Sequence, residues 1–589
     1  MPISFGNANP YTPLPTNSSH HTPPPPRVRR FFQRRTLLPL LSSILIVLTL
    51  VSFFHPGLHS EARNKLGRVK SWGQDQADRW REELSEHLIS GGQKKESREC
   101  EGWDPAGREE NDPVGCLKAR QYRQTQRVLA REEKGEHEHW FFTKDHNIAT
   151  LRNITRCFLP ISHEAYIECH EKPLIVSGWW YTAETLDGST TGEVIWQSSL
   201  VKQMATLGYS YISVGPYVNW VEVAEMLPDV YVTLWNGELD TITCITDPRC
   251  VAKEHYVPPE GGEDLSIGVP DEERGVIPLW AMNIVDYWGA RPKEVSNNDY
   301  WWGLTEDGEW SFQPLGQEWI ATPWPLPGEH YHLPYSIEEY CLRLPVQHHE
   351  ARRDAALVFA KRSTYFYYHY VSPPEFWTNL SRSAGFDLLL TANEEEGKPL
   401  PEGLLSMGRQ TREDYEALVG SVKVMVGMGA PPISPSVYTA LCQATPVVIP
   451  YFHPDYRSDG WHLYSGFAQH GPALSLGEPY VYGYYAQNYT QLEDAIHRAM
   501  STPIERYIPS DMKLTYGLSQ LSKYLNRDLK GMMNAKVALN GGKVPAMQKG
   551  IRERCYELNR CREPLKAGRR PAIPPSWAVD RRSDQTVVK

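Results

Sequence analysis

No dinucleotide fingerprint is present. Neither of the apolar runs that open an α/β alternation, at Leu174 and at Ala355, is followed by G-x-G-x-x-G, which disfavours dehydrogenase-type chemistry. A basic excess is also missing. With 61 Lys and Arg against 71 Asp and Glu the formal charge is -10, so little is available to replace the counterions of a nucleic acid, and none is expected as a partner. No acid occurs in residues 1–36, no charge between Leu37 and Phe54, and no cysteine before Cys100.

These gaps organise the N-terminal region. The uncharged run 37–54, LLPLLSSILIVLTLVSFF, reaches about 27 Å as a helix, close to the hydrocarbon thickness of a bilayer. Arg27, Arg29, Arg30, Arg34 and Arg35 precede it, so the positive-inside rule keeps the N-terminus cytosolic. The expectation is a single-pass signal-anchor with a disordered cytosolic tail over 1–36 and everything after residue 54 lumenal. A cleaved signal peptide is the rival, but no small-x-small site follows Phe54. Residues 55–165 are dense in charge and predict a stem; within them His137 and His139 read as a solvated His-Glu run rather than as metal ligands. All ten cysteines lie beyond the anchor, which in an oxidising lumen predicts disulfides, with Cys244–Cys250 and Cys555–Cys561 inviting local bridges and Cys442 read as a free core thiol. Sequons at Asn153, Asn379 and Asn488 fit the same compartment.

At 589 residues two folded domains are expected. The first, 166–345, opens with the strand run LIVSG at Leu174, a helix over Gly192–Leu207 and a second strand over Tyr209–Val214, a βαβ start. Further on, Val221–Leu227 predicts a helix, and Val230–Leu234 and Val276–Val285 predict strands. Asp286 falls just past the last of these, where α/β folds place chemistry. Trp319 and Trp324 belong to a Trp-rich stretch that suits either sugar stacking or irregular packing. The second domain, 346–530, repeats the alternation from Ala355, with a helix over Pro374–Ser383, a strand over Phe386–Thr391, a capping box at Thr411 and Asp414, and a closing helix over Leu514–Leu525. Residues 531–589 read as a tail. The central stretch is Lys423–Pro450, KVMVGMGAPPISPSVYTALCQATPVVIP. Alternating valines stop at Gly427 and Gly429, Ser434 and Pro435 read as N-cap and N1 of a short helix, and Thr445-Pro446 ends it. Bare glycine backbone and free amides at a helix start outline a phosphate cradle.

Several of these pieces resemble glycosyltransferase family 18. They are Gly403-Leu404-Leu405-Ser406, VKVMVGMGAPPISPSVYTAL, the PYFHP turn at Pro450–Pro454, QHGPALSLGEPYVYG over Gln469–Gly483 and the ending Thr490–Leu525, with weaker matches at Gly192-Glu193 and Val285–Gly289. The resemblance implies a GT-B type fold of two facing Rossmann-like domains behind the transmembrane helix and stem. It further implies a Golgi glycosyltransferase that moves GlcNAc from UDP-GlcNAc to a mannose of an N-glycan or related glycan acceptor, with inversion and without a metal or other cofactor. Independently, the chain has no Asp-x-Asp, the acidic pair with which metal-dependent sugar-nucleotide enzymes hold a divalent ion. On this reading Gly427, Gly429, Ser434, Pro435 and Ser436 contact the diphosphate and Lys361 faces the same cleft. Thr439 takes the ribose position, where the family carries a glutamate. The family's base position aligns with Lys293, which puts Glu294 beside it as the candidate base and Asp286 in reserve. Two alternatives stand: a catalytically silent glycan-binding or assembly protein on this fold, and a transferase using another nucleotide sugar.

Overall fold

The computed structural model describes residues 113–569 apart from 136–142, 159–168, 170, 188–190, 216, 288, 290–310, 327, 432, 454–467 and 558–560. Among the described residues no helix is long and apolar enough to cross a membrane; the signal-anchor expected over 37–54 lies outside them, as do His137, His139 and Glu294.

Two six-stranded sheets, parallel at every pairing, form the body. The first contains β1 (Leu174–Ser177), β2 (Ser210–Ser213), β3 (Val232–Asn236), β4 (Met282–Val285), β5 (Ile320–Thr322) and β6 (Tyr331–His332), in the order β2-β1-β3-β4-β5-β6. The second contains β7 (Arg353–Val358), β8 (Asp387–Leu390), β9 (Leu405–Ser406), β10 (Val422–Val426), β11 (Val447–Tyr451) and β12 (Val481–Tyr485), in the order β12-β11-β10-β7-β8-β9. Renumbered from its own first strand, the second order is the doubly wound 3-2-1-4-5-6, and the first follows the flavodoxin-like 2-1-3-4-5 pattern. Strands covered by helices on both faces must be apolar throughout, which is why β1 and β3 are buried along their whole length and read as continuous runs.

Most sequence-read elements are present, with shifts that packing explains. The helix expected from Val221 begins at Tyr217, because Tyr217 and Trp220 pack edge to face inside the first core. Of the long strand expected over Val276–Val285 only β4 is strand; Leu279–Ala281 is a 3-10 turn. Trp319 and Trp324 are buried, their rings used for packing. Cys442 is buried but not free: it bridges to Cys341, while Cys244–Cys250 and Cys555–Cys561 form the two local bridges and Cys157 pairs with Cys169.

The domain boundaries need the larger corrections. The last part of the expected stem is folded body: helices Pro113–Lys134 and Lys144–Cys157 place Val128 and Leu151 in the first core, and Asn147 exchanges hydrogen bonds with the backbone of Ser213 at 2.8 and 2.9 Å. Nor is the chain after residue 530 a free tail. Helices Leu529–Leu539 and Ile551–Glu557 contribute Leu529, Met533, Ile551 and Cys555 to that same core. Arg562 pairs with Asp240 at 3.0 Å, and Arg569 pairs with Glu225. Charge matching to buried acids, invisible in local composition, is what ties this segment down.

Glu225 has a consequence for pH. Burial raises its pKa to about 7, from 4.5 for an ordinary glutamate, against the opposing pull of Arg569 and with Glu222 and Asp247 adding to the rise. The folded protein therefore binds more protons than the unfolded chain between those values, so this group's stabilisation is full below the ordinary glutamate range and is lost as pH rises toward 7. Glu225→Gln is expected to flatten that decline in Tm. Parallel declines in wild type and variant would refute the assignment.

Candidate active site

The second sheet reverses its strand order between β7 and β10, and ligands of such sheets bind beyond the carboxyl ends of the strands at that point. Here those ends deliver Lys361, three residues past β7, and the Gly427–Ser434 turn past β10. Facing them is the N-terminus of the first domain's helix Gly192–Thr206, capped by Thr191, whose hydroxyl accepts from the Val194 amide. The two sides touch: a Cβ added to Gly192 would lie 3.3 Å from Pro435 Cδ and 2.7 Å from the Tyr287 hydroxyl. A single apolar cluster continues across the seam, from Trp196 and Trp324 of the first domain to Val437 and Leu441 of the second.

Beside that contact stands Glu193. It is partly buried, and burial raises its pKa, opposed by its own backbone amide, by the cationic Lys361 across the seam and by the Thr191 hydroxyl. Its surroundings are aromatic hydroxyls: Tyr335 Oη lies 2.9 Å from Tyr287 Oη and 3.0 Å from the Gly192 carbonyl oxygen. Both tyrosines are buried, which pushes their pKa values up and keeps them neutral. His470 completes the wall. It adopts φ 50°, its Nδ1 accepts from the Ala473 amide at 3.4 Å, and its ring meets Trp324 and Tyr438 edge to face at 5.3 and 5.2 Å. Burial lowers its pKa to about 3, so it is a neutral polar spacer between the domains.

The cradle read from the sequence is present as a turn but is spent differently. The Gly427 amide donates to Val448 in the strand ladder at 2.7 Å, and the Gly429 amide donates to Gln469 Oε1 at 3.0 Å. Neither is left for a phosphate. Their lack of a side chain has another use: a Cβ at Gly427 would sit 2.2 Å from Gln469 Oε1 and 2.8 Å from Phe359, and Gly429 has φ +120° against Val371. Gln469 also donates to the Pro431 carbonyl at 3.0 Å and so staples the turn. Gly427→Ala is accordingly expected to cost about 1–3 kcal/mol of stability through overpacking, read as a lowered urea midpoint. The helix begins at Ser436, one residue later than the N1 expected at Pro435, and runs only to Cys442. Ser434 Oγ accepts from the Ser436 amide at 3.3 Å, so the serine serves this helix start as expected while occupying one of its donors.

Of the other nominated residues, Asp286 follows β4 as expected and is buried, its amide donating to the Ala321 carbonyl at 3.0 Å. Thr439 is engaged sideways. Its hydroxyl lies 3.4 Å from Tyr340 Oη, which donates to Glu416 at 2.8 Å, and Glu416 is paired in turn with Arg412. The structure thus gathers Lys361, Ser434 and Pro435, adds Glu193, and leaves Thr439 to a separate network. In the sequence, Glu193 carried the weak family match at Gly192-Glu193 and the local signal of an acid in the first turn of a helix, which ordinarily means dipole complement.

Residues 280–556 match the model of glycosyltransferase family 18, which bears out the resemblance seen in the motifs. Among curated proteins, alpha-1,6-mannosylglycoprotein 6-beta-N-acetylglucosaminyltransferase A of Homo sapiens and that of Mus musculus are each 20% identical over 373 residues, 60% of this chain and 46% of the relative. The matched stretch therefore spans about half the length of those relatives. Solved structures with loose superposition include the S. aureus MnaA–UDP complex, at 7% identity and TM-score 0.30 over 67% of this chain and 99% of that one. Another is a mutant O-GlcNAc transferase of Thermobaculum terrenum, at 11% identity and TM-score 0.26 over 76% and 88%.

Proposed function

Because residues 280–556 match glycosyltransferase family 18, we propose that this protein transfers a sugar, GlcNAc from UDP-GlcNAc, to a mannose hydroxyl of an N-glycan or related glycan, with inversion and without a metal. The observation that carries the reading is Glu193: a partly buried carboxylate of raised pKa that feels the charge of Lys361 across the seam and follows Gly192, the residue that meets Pro435. An inverting transfer needs one base on the acceptor side and charge stabilisation on the leaving-group side. We assign the first role to Glu193. It removes the acceptor hydroxyl proton as that oxygen bonds to the anomeric carbon, the bond from that carbon to UDP breaks, and the proton remains on Glu193. Lys361, with the Ser434 and Ser436 hydroxyls, answers the charge that develops on the diphosphate. This assignment differs from the sequence nominations: Asp286 is a buried strand-end acid, and Glu294 lies outside the described residues.

Four disulfides among the described residues support an oxidising, secretory compartment. With the apolar run 37–54 they favour a single-pass Golgi membrane protein whose catalytic body is lumenal. A second reading, a glycan-binding protein that transfers nothing, draws on the spent Gly427 and Gly429 amides and on Thr439 being held by Tyr340. Calorimetry of the purified full-length protein with a panel of nucleotide sugars, with and without a divalent ion, separates the two. Binding of UDP-GlcNAc without metal is expected; failure to bind any UDP-sugar overturns transfer, and preference for another nucleotide sugar overturns the donor.

A further inference from the structure

We propose that the aromatic ladder Tyr365–Tyr368–Tyr370–Phe452, on the carboxyl-end rim of the second sheet, is a glycan-binding subsite that stacks pyranose rings of the acceptor away from the reacting hydroxyl. It rests on the glycosyl-transfer reading for calling the glycan an acceptor. Residues 365–370 are Tyr-Phe-Tyr-Tyr-His-Tyr, and a run this apolar would ordinarily be folded inward. Phe366 is fully buried against Trp377 at 5.9 Å, and Tyr365 and Tyr370 are half-buried against the same core. Tyr368 remains 38% exposed between half-buried Tyr365 and Tyr370, so an aromatic face is left toward solvent on an otherwise packed segment, and exposed aromatic surface of this kind can mark a binding site.

The rings form a continuous but uneven chain, tilted by 40° from Tyr365 to Tyr368 and edge to face at 73° from Tyr370 to Phe452. Successive ring centroids are 5.8 Å apart from Tyr365 to Tyr368, 5.7 Å from Tyr368 to Tyr370 and 5.3 Å from Tyr370 to Phe452, and the middle pair is nearly parallel at 26°. The ladder starts in the segment after β7, which carries Lys361, and ends one residue past β11, so it lies on the same edge of the sheet as the proposed donor side. A charged pair borders it. Arg362 and Glu395 meet at 2.7 Å and are 51% and 31% exposed, and both act on the Tyr368 hydroxyl, Arg362 lowering and Glu395 raising its pKa. Aromatic faces that accept the C–H face of a sugar, beside a guanidinium and a carboxylate that bond its hydroxyls, are the chemistry of carbohydrate recognition. Tyr367 is not counted in the ladder: its hydroxyl donates to the Pro399 carbonyl at 2.8 Å, and Lys398 lies over its ring at 4.7 Å. A uracil ring could stack on the same faces, so the test includes UDP.

Chitotriose, mannotriose and UDP are titrated separately into full-length wild type, Tyr368→Ala and Tyr368→Phe. At least one trisaccharide is expected to bind wild type, to bind Tyr368→Ala about five- to tenfold more weakly, and to recover with Tyr368→Phe, which restores the ring. UDP affinity is expected to stay the same in all three. The proposal is overturned if neither trisaccharide binds wild type, if Tyr368→Ala leaves their affinity unchanged, or if the variant loses UDP instead, which would make the ladder a base-stacking wall. Loss of trisaccharide binding in Tyr368→Ala when wild type binds no UDP would keep the subsite and remove the transfer reading.

Discussion

Glu193→Gln is expected to lower glycosyl transfer by about a hundred- to ten-thousand-fold, the range by which a positioned general base accelerates proton transfer, with little change in UDP affinity. Glutamine keeps the shape and a hydrogen-bond acceptor, so the Thr191 cap and the contact of Gly192 with Pro435 persist; only the ability to take a proton is lost. The raised pKa supplies a second readout. A base must be ionised to act, so wild-type activity is expected to fall on the acid side at a pH above the ordinary glutamate range, and that limb tracks Glu193. Lys361→Ala removes the opposing charge, so it should move the limb to higher pH. Near-wild-type turnover in Glu193→Gln would reject the assignment. If Asp286→Asn alone abolished transfer without unfolding the protein, the base would revert to the sequence-nominated strand end.

The second large effect concerns stability. Arg527→Ala is expected to lower the free energy of unfolding by about 3 kcal/mol, because it breaks two charge-assisted hydrogen bonds in a buried cluster and removes the cation from two tyrosine rings. The Arg527 guanidinium donates to the Glu318 carbonyl and to Asn283 Oδ1, the latter at 2.9 Å, while lying 3.8 Å from the centroid of the Tyr524 ring and 5.1 Å from that of Tyr331. Asn283 Oδ1 also accepts from the Tyr524 hydroxyl at 3.1 Å. This cluster fastens the end of helix Leu514–Leu525 to β4 of the first sheet. Lysine is a poor substitute, since a point charge cannot reproduce the planar fork or the stacking. Urea unfolding is the measurement; a loss under about 1 kcal/mol would mean that solvent replaces the clasp.

The parts of this architecture legible in the sequence are those written locally. LIVS as a wholly buried strand, the Thr411–Asp414 box, in which the Thr411 hydroxyl accepts from the Asp414 amide at 3.1 Å, and the helix Leu514–Leu525 all follow from short-range pattern. What stayed hidden depends on distant partners. The Cys341–Cys442 bridge joins residues 101 apart in sequence, so the burial of Cys442 was readable and its partner was not. Glycines at 427 and 429 mark close backbone approach, by Gln469 and Phe359 at the first and by Val371 at the second; a glycine signature reports crowding without saying what crowds. Glu193 acquires its character from burial and from Lys361 in the other domain, and no window around Gly192 contains either.

The path of the chain also sets an order of events during synthesis. The first core mixes Val128 and Leu151 with Leu529, Met533, Ile551 and Leu565, whereas the strands of the second sheet are continuous from Arg353 to Tyr485. As the polypeptide emerges, the inserted domain has all its strands before the host domain has its last layer. The earlier-made half must therefore wait, with apolar surface uncovered, for roughly the final tenth of the chain, a high-contact-order closure that is slow and exposed to misassembly. Truncation near residue 528 would thus yield a chain whose second domain has every strand it needs and whose first cannot close.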